Sequence, residues 1–177
     1  MKSEQLPEIL AADVEIKQVR LQQALREADL CLPSEVAFQD QLQRVLAFSD
    51  FVAESLIGDP SLPADLWTRG RLHNAAAPGE TAAALAAALE GTSDAEDLAA
   101  RLRRFRRREM VRIAWRDLLG RSDLAEVTAD LSDLAGACLE QALSRLFRRQ
   151  CAEQGTPVSL DGAPACLVVL GLGKLGA

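Results

Sequence analysis

Aromatic residues make up only 4% of this 177-residue sequence, so a core has to be built mainly from Leu, Ala and Val. There is a single histidine, His73. No Ser, Cys or Asp stands at a spacing that would make it a catalytic base, and it reads as a surface residue in a polar loop. The four cysteines, Cys31, Cys138, Cys151 and Cys166, include no C-x-x-C pair. With one histidine they make a poor zinc set, so they read as free thiols of a reducing cytosol, Cys166 as a small core residue. No stretch approaches the roughly 20 apolar residues of a membrane span. The N-terminus carries glutamates and a proline in place of a basic-then-apolar leader. Positive charge is outnumbered, 20 Lys and Arg against 26 Asp and Glu, for a net charge of −6. That balance argues against general nucleic-acid binding. The expectation is a cytoplasmic protein without a nucleic-acid or membrane partner.

What is present is helix former. Hydrophobic residues reach 49%, enough for a packed core at this length. Leu10, Val14, Leu21 and Leu25 recur at near-helical spacing, with Ile16 and Val19 broadening the stripe. Pro33-Ser34 marks a break, with Ser34 as the expected N-cap. Residues 35–57 carry a broad apolar face through Phe38, Leu42, Val45, Leu46, Phe48, Val52, Leu56 and Ile57. Ser49-Asp50 inside that stretch is an internal cap signal, and Gly58-Asp59-Pro60 ends it. A short helical turn is expected near Trp67, a loop at 74–79, and a helix over 80–90 closed by Gly91. Ser93-Asp94-Ala95-Glu96 is a capping box opening a helix to Leu119, with Gly120 past its end. Ser122-Asp123 opens a short helix, and a long one follows to Gln154. Arg145, Arg148 and Arg149 near its end suit the helix dipole. Asp161-Gly162 allows a hairpin before a final strand, Leu167–Leu170.

The segment Arg101–Asp117, R-L-R-R-F-R-R-R-E-M-V-R-I-A-W-R-D, behaves unusually on a helical wheel of about 100° per residue. Leu98, Leu102, Phe105 and Ile113 define one stripe, which also holds Glu109, Arg112 and Arg116. Val111, Ala114, Trp115 and Leu118 lie opposite, in line with Arg104, Arg107 and Arg108. The apolar face changes sides, as expected of a helix contacted on different sides at its two ends. Glu109 can pair with Arg112 three residues on. Residue types favour a buried ion network that fixes helix packing. The alternative is that Arg112 and Arg116 meet a phosphate or an acidic partner. Arg103, Arg104 and Arg107 read as a solvated basic face.

The sequence closes on C-L-V-V-L-G-L-G-K-L-G-A, an apolar strand signal running into Gly171, Gly173, Lys174 and Gly176. Such a turn brings backbone N–H groups close to a phosphate. It matches G-x-G-x-x-G, the dinucleotide fingerprint, but no βαβ unit or acidic residue about 20 positions later follows it here. More than 150 residues of helix also precede it.

L-V-V-L-G-L-G-K-L-G, L-R-R-F-R-R-R-E-M-V-R-I-A-W-R-D-L, V-L-A-F-S-D-F-V and C-A-E-Q-G-T-P, in their order and separations, resemble the N-terminal part of the bacterial glutamine synthetase adenylyltransferase / adenylyl-removing enzymes. The resemblance spans about residues 40–176. It implies a mainly α fold: a helical bundle leading into the first strand and glycine turn of a truncated polymerase-β-type nucleotidyltransferase domain. Residues 1–155 would be the helical region and 156–177 the start of the adenylyl-removing core. It further implies AMP transfer from ATP to a tyrosine of glutamine synthetase by one half of such an enzyme, and phosphorolytic removal, giving ADP, by the other. Mg²⁺ and ATP, ADP or phosphate would be the cofactors and substrates, and glutamine synthetase and PII signal proteins the partners. Gly171, Gly173, Lys174 and Gly176 match the family's turn and would bind nucleotide. Leu172 replaces a common methionine, and Ala177 stands where a further glycine is usual. The aspartates that hold the metal in the family correspond to no residue here; Glu153 and Asp161 have neither the spacing nor the strand context. No catalytic or metal-binding residue is therefore assigned, and the chain is expected to be inactive alone. The readings left beside this one are a helical protein-interaction module and a dinucleotide-binding protein with a helical prefix.

Overall fold

The computed structural model describes residues 8–171. Seven helices follow one another among them: α1 Glu8–Glu27, α2 Val36–Phe48, α3 Asp50–Gly58, α4 Leu62–Thr68, α5 Glu80–Ala88, α6 Ala95–Leu118 and α7 Leu124–Gln154. They belong to two compact units. One runs from α1 to Ala76 and includes Arg107–Thr128; the other comprises Ala77–Arg106 and the chain from Ala129 onward. Of the three boundaries, one falls in the loop between α4 and α5 and the other two inside α6 and α7.

In the first unit α1, α2 and α3 pack on one another. Val14, Leu21 and Leu25 of α1 bury with Phe38, Leu42, Val45, Leu46, Val52 and Leu56, and Val111 and Trp115 of α6 join the same cluster. Three of the few aromatics meet in this core. Phe38 stacks on Trp115 at 5.8 Å and meets Trp67 edge-on at 5.1 Å. The Trp115 indole N–H donates to Gln41 Oε1 at 3.3 Å, so its polar end is satisfied. In the second unit Leu85, Leu89, Leu98, Phe105, Leu134 and Ala137 are the buried apolar side chains.

The cap signals mostly hold, with shifts of one residue. Ser49 ends α2 and starts α3: its Oγ accepts from the Val52 amide at 3.1 Å. At α6 the cap is Asp94, whose Oδ1 accepts from the Asp97 amide at 2.9 Å, while Asp97 Oδ2 reaches back to the Ser93 amide. The box is thus Asp94/Asp97, one residue beyond the Ser93/Glu96 pair that the pattern suggested. Gly120, at φ 64°, closes α6 as expected. The Arg121 amide donates to Arg116 O and the Gly120 amide to Asp117 O, which satisfies the last carbonyls.

Other expectations are corrected. Ile16 and Val19 are exposed, and the buried position between Val14 and Leu21 is Lys17. Ser34 is not the cap of α2; Glu35 takes the position without a side-chain bond, and the Gln39 side-chain Nε2 donates to Pro33 O at 2.8 Å. Phe48 is exposed. The short helix after Ser122 does not exist separately. Asp123 caps a single 31-residue α7, accepting from the Glu126 amide at 2.8 Å. The hairpin forms, with an antiparallel bridge between Val158 and Pro164 around Asp161-Gly162. The strand expected at Leu167–Leu170 is not a strand: no β-strand occurs among the described residues, and these four side chains are exposed. A short apolar run needs a ladder partner as well as propensity. Cys166 is exposed too, not a core residue.

Ser49→Ala removes the side-chain cap at the α2–α3 junction and is expected to cost about 1 kcal/mol, read as a lower urea midpoint with an unchanged denaturant slope. A loss within error would mean that α3 starts without the Ser49 oxygen.

Candidate functional site

The arginine helix supplies the polar centre of the first unit. Between Glu109 and Leu119 only Asp117 is exposed. Val111 and Trp115 face the apolar cluster, while Glu109, Arg112 and Arg116 are also buried, at 1%, 1% and 3% exposure. Upstream, Leu98 and Phe105 are buried and Arg103, Arg104 and Arg107 are exposed. The apolar face widens along α6 and does not simply change sides: Phe105 and Ile113 keep the first stripe buried, and in the second half Val111 and Trp115 are buried on the opposite side as well.

Burying these charges is tolerable only because each meets an opposite one. Arg112 Nε donates to Glu109 Oε2 at 2.6 Å, the pair expected from their spacing of three. Arg71, from the segment after α4, donates through Nη2 to the same oxygen at 3.2 Å. One carboxylate oxygen therefore joins two guanidinium groups. Arg116 donates through Nε and Nη2 to Glu126 Oε1 at 3.0 and 2.7 Å, and through Nη2 to the Arg121 carbonyl at 3.1 Å. Its Nη1 is buried and makes no hydrogen bond to the protein. Arg121 in turn donates to the Leu72 carbonyl at 2.9 Å. Nearby Arg108 pairs with Asp65 at 3.2 Å. Arg71, Glu126 and Arg121 left no signal in the sequence, since they lie 38, 10 and 5 residues from their partners.

His73 is exposed, as expected, but its ring packs edge-on against Trp67 at 4.5 Å. Partial burial, then the positive charges of Arg121 and Arg116, hold its pKa below the ordinary histidine value. A second charged centre escaped the sequence altogether. Lys17 Nζ, buried, is bracketed by Asp13 at 2.5 Å and Asp50 at 2.6 Å and donates to Leu46 O at 3.0 Å. Burial pulls its pKa down, but the bonds and charges of Asp13 and Asp50 outweigh this and leave it raised. Asp50 is thus an ion-pair partner of α1, and Ser49 alone supplies the cap.

Of the glycine turn, Gly171 is exposed and irregular, and Gly173, Lys174 and Gly176 lie outside the described residues. Among the described residues no three His, Cys, Asp or Glu side chains are grouped to hold a metal ion. They do not fit Mg²⁺, and no metal-dependent step is assigned to them. No described helix is long and apolar enough to cross a membrane.

Fold and charged centre together define an α-helical scaffold whose elements are tied by buried carboxylate–guanidinium pairs. The family described as glutamate-ammonia ligase adenylyltransferase matches residues 39–177, and the chain belongs to that family. Among curated relatives, a bifunctional glutamine synthetase adenylyltransferase/adenylyl-removing enzyme of Pseudomonas aeruginosa is 50% identical over 139 residues, 78% of this chain and 14% of the relative. The enzyme of the same name from Nitrosococcus oceani is 43% identical over 173 residues, 97% of this chain and 18% of the relative. That from Thioalkalivibrio sulfidiphilus is 38% identical over 174 residues, again 97% of this chain and 17% of the relative. The chain thus spans less than a fifth of the length of these relatives.

Glu109→Gln keeps the shape but leaves two arginines without their shared carboxylate. It is expected to destabilise the first unit by about 3–5 kcal/mol, measured by urea unfolding. A cost below about 1 kcal/mol, the range of exposed pairs, would show that the carboxylate is not what holds them. His73 gives a pH test. Its folded pKa lies below its unfolded one, so the unfolded chain binds the extra proton. Its contribution is complete above the unfolded value near 6.5 and fades as pH falls through that value toward the folded one. His73→Gln is expected to flatten the fall in Tm below pH 6.5, and a slope identical in both proteins would contradict this.

Proposed function

We propose that this chain is the leading helical part of the adenylyl-removing half of an enzyme that controls glutamine synthetase by adenylylation and phosphorolytic deadenylylation. The observation that carries the reading is the family match, which continues through the glycine turn to residue 177 and whose relatives bear both activities in their names. In this reading residues 1–155 are the helical region, and residues 156–177 begin a polymerase-β-type core. Gly171, Gly173, Lys174 and Gly176 form the turn against which a nucleotide phosphate rests: the glycines let backbone amides approach, and Lys174 adds a point charge. Arg112 and Arg116 serve the scaffold, since Glu109 and Glu126 already engage them.

The chemistry belongs to the longer protein. A phosphate oxygen attacks the phosphorus of the adenylyl group on the tyrosine of glutamine synthetase, the bond from that phosphorus to the tyrosine oxygen breaks, the tyrosine oxygen leaves and takes up a proton, and the new phosphoanhydride is ADP. Mg²⁺ held by carboxylates of the longer protein would neutralise charge on the reacting phosphates. The 177 residues alone lack such carboxylates and are inactive in this reading. Glutamine synthetase is the substrate, a PII protein the regulatory partner, and the cytoplasm the place of action.

The test is Lys174→Ala in the longer protein. Phosphate-dependent release of ADP from adenylylated glutamine synthetase is expected to fall about 10²-fold, the scale on which one preorganised donor acts, with AMP transfer from ATP retained. Loss of AMP transfer with deadenylylation intact would assign the chain to the other half. Saturable NAD(H) binding that is sensitive to the same change would favour a dinucleotide site.

A further inference from the structure

The second unit holds a charged cleft that none of this uses. Its volume is about 440 Å³, within the roughly 300–1,000 Å³ range of small-molecule sites. Thr92, Ser93, Asp94, Ala95 and Leu98 line one side, and Arg145, Leu146, Arg148 and Arg149 of α7 the other. Spacings of three and four place the three arginines on one helix face, where like charges repel. They are poorly neutralised. Arg149 Nε donates to Glu153 at 2.8 Å, but Arg145 Nε meets only the neutral Gln141 amide oxygen at 3.3 Å. Arg148 Nε meets only its own helix, at Ser144 O, 3.1 Å. Among the described residues neither Arg145 nor Arg148 forms an ion pair. All three bonds use Nε, so the Nη groups of these residues remain available to a ligand.

We propose that this cleft binds a phosphate-bearing small molecule through the guanidinium groups of Arg145, Arg148 and Arg149. Three planar forks on one turn suit a tetrahedral oxyanion of two or more charges. Asp94, the one carboxylate in the lining, caps the Asp97 amide and accepts from Ser93 Oγ, and its charge also reaches Arg149 without forming an ion pair with it. The start of α6 is itself capped, Asp94 Oδ1 holding the Asp97 amide and Asp97 Oδ2 the Ser93 amide. A nucleic acid is disfavoured by the net charge of −6. None of these arginines lies in the last turn of α7, so the helix dipole expected to suit them does not account for them. The site is distinct from the glycine turn and stands or falls independently of the function proposed above.

The experiment titrates the 177-residue chain with inorganic phosphate, ADP and succinate at matched ionic strength, following the arginine Nε–Hε resonances. Phosphate or ADP is expected to move the Arg145 and Arg148 signals saturably. In Arg145→Gln/Arg148→Gln the dissociation constant is expected to rise about tenfold or more, whereas Arg103→Gln/Arg104→Gln, on the exposed basic face of α6, leaves it unchanged. The titration of the unaltered chain does not depend on how the variants fold. The proposal is overturned by the absence of saturation, by equal movement of the Arg103 and Arg104 signals, or by succinate binding as tightly as phosphate.

Discussion

Glu109 sits at 1% exposure, and one of its carboxylate oxygens holds two guanidinium groups, Arg112 from its own helix and Arg71 from the segment after α4. Taking a carboxylate and an arginine out of water costs several kcal/mol per ion before any attraction is counted. The first unit can carry that cost only if the partners arrive together and in register. Arg112 is delivered by the helix itself, three residues on. Arg71 must be brought from 38 residues away, which requires α4 and the turn after it to be in place. The same chain segment offers Leu72 O to Arg121, and Arg121 offers its own carbonyl to Arg116. A wrong packing of α4 on α6 would therefore strand several buried charges at once, whereas a wrong apolar contact costs only a methylene or two. Apolar burial around Phe38 and Trp115 supplies the driving force; the charged centre supplies discrimination between arrangements.

How much of this could be read from the sequence depended on distance along the chain. Local signals worked: the Ser49 break, the Gly120 closure, the turn at Asp161-Gly162 and the Glu109–Arg112 pair all rest on residues within a few positions of each other. Capping was off by one where two acceptors stood side by side, because Ser93 and Asp94 can each cap and the carboxylate won. The stripe of α1 misled because hydropathy ranks Ile16 and Val19 above Lys17. The lysine has a long apolar stem and finds Asp13 and Asp50 at its tip, so it occupies the inward position. Its partner Asp50 lies in another helix, and nothing in the order of residues reveals that. Arg71, Arg121 and Glu126 were invisible for the same reason. The strand at Leu167–Leu170 failed differently: β-branched residues state a preference, but a ladder is a relation between two segments, and only one was in view.

Arginine clusters of one composition serve two ends in this chain. Arg112 and Arg116 are enclosed, and each meets a carboxylate that is there for it, so their chemistry is spent inside the fold. Arg145, Arg148 and Arg149 line an open cleft, and of the three only Arg149 forms an ion pair among the described residues, with Glu153. Helix-dipole compensation alone does not require three adjacent arginines on one face, since the effect falls off within the last turn, and Arg145 stands nine residues before Gln154. Repulsion among them is a standing cost that solvent only partly screens. A feature that costs stability and is not repaid by packing is where a binding function is to be sought. By that criterion the buried arginines of α6, the more conspicuous in sequence, belong to the architecture, and the inconspicuous ones on α7 belong to recognition.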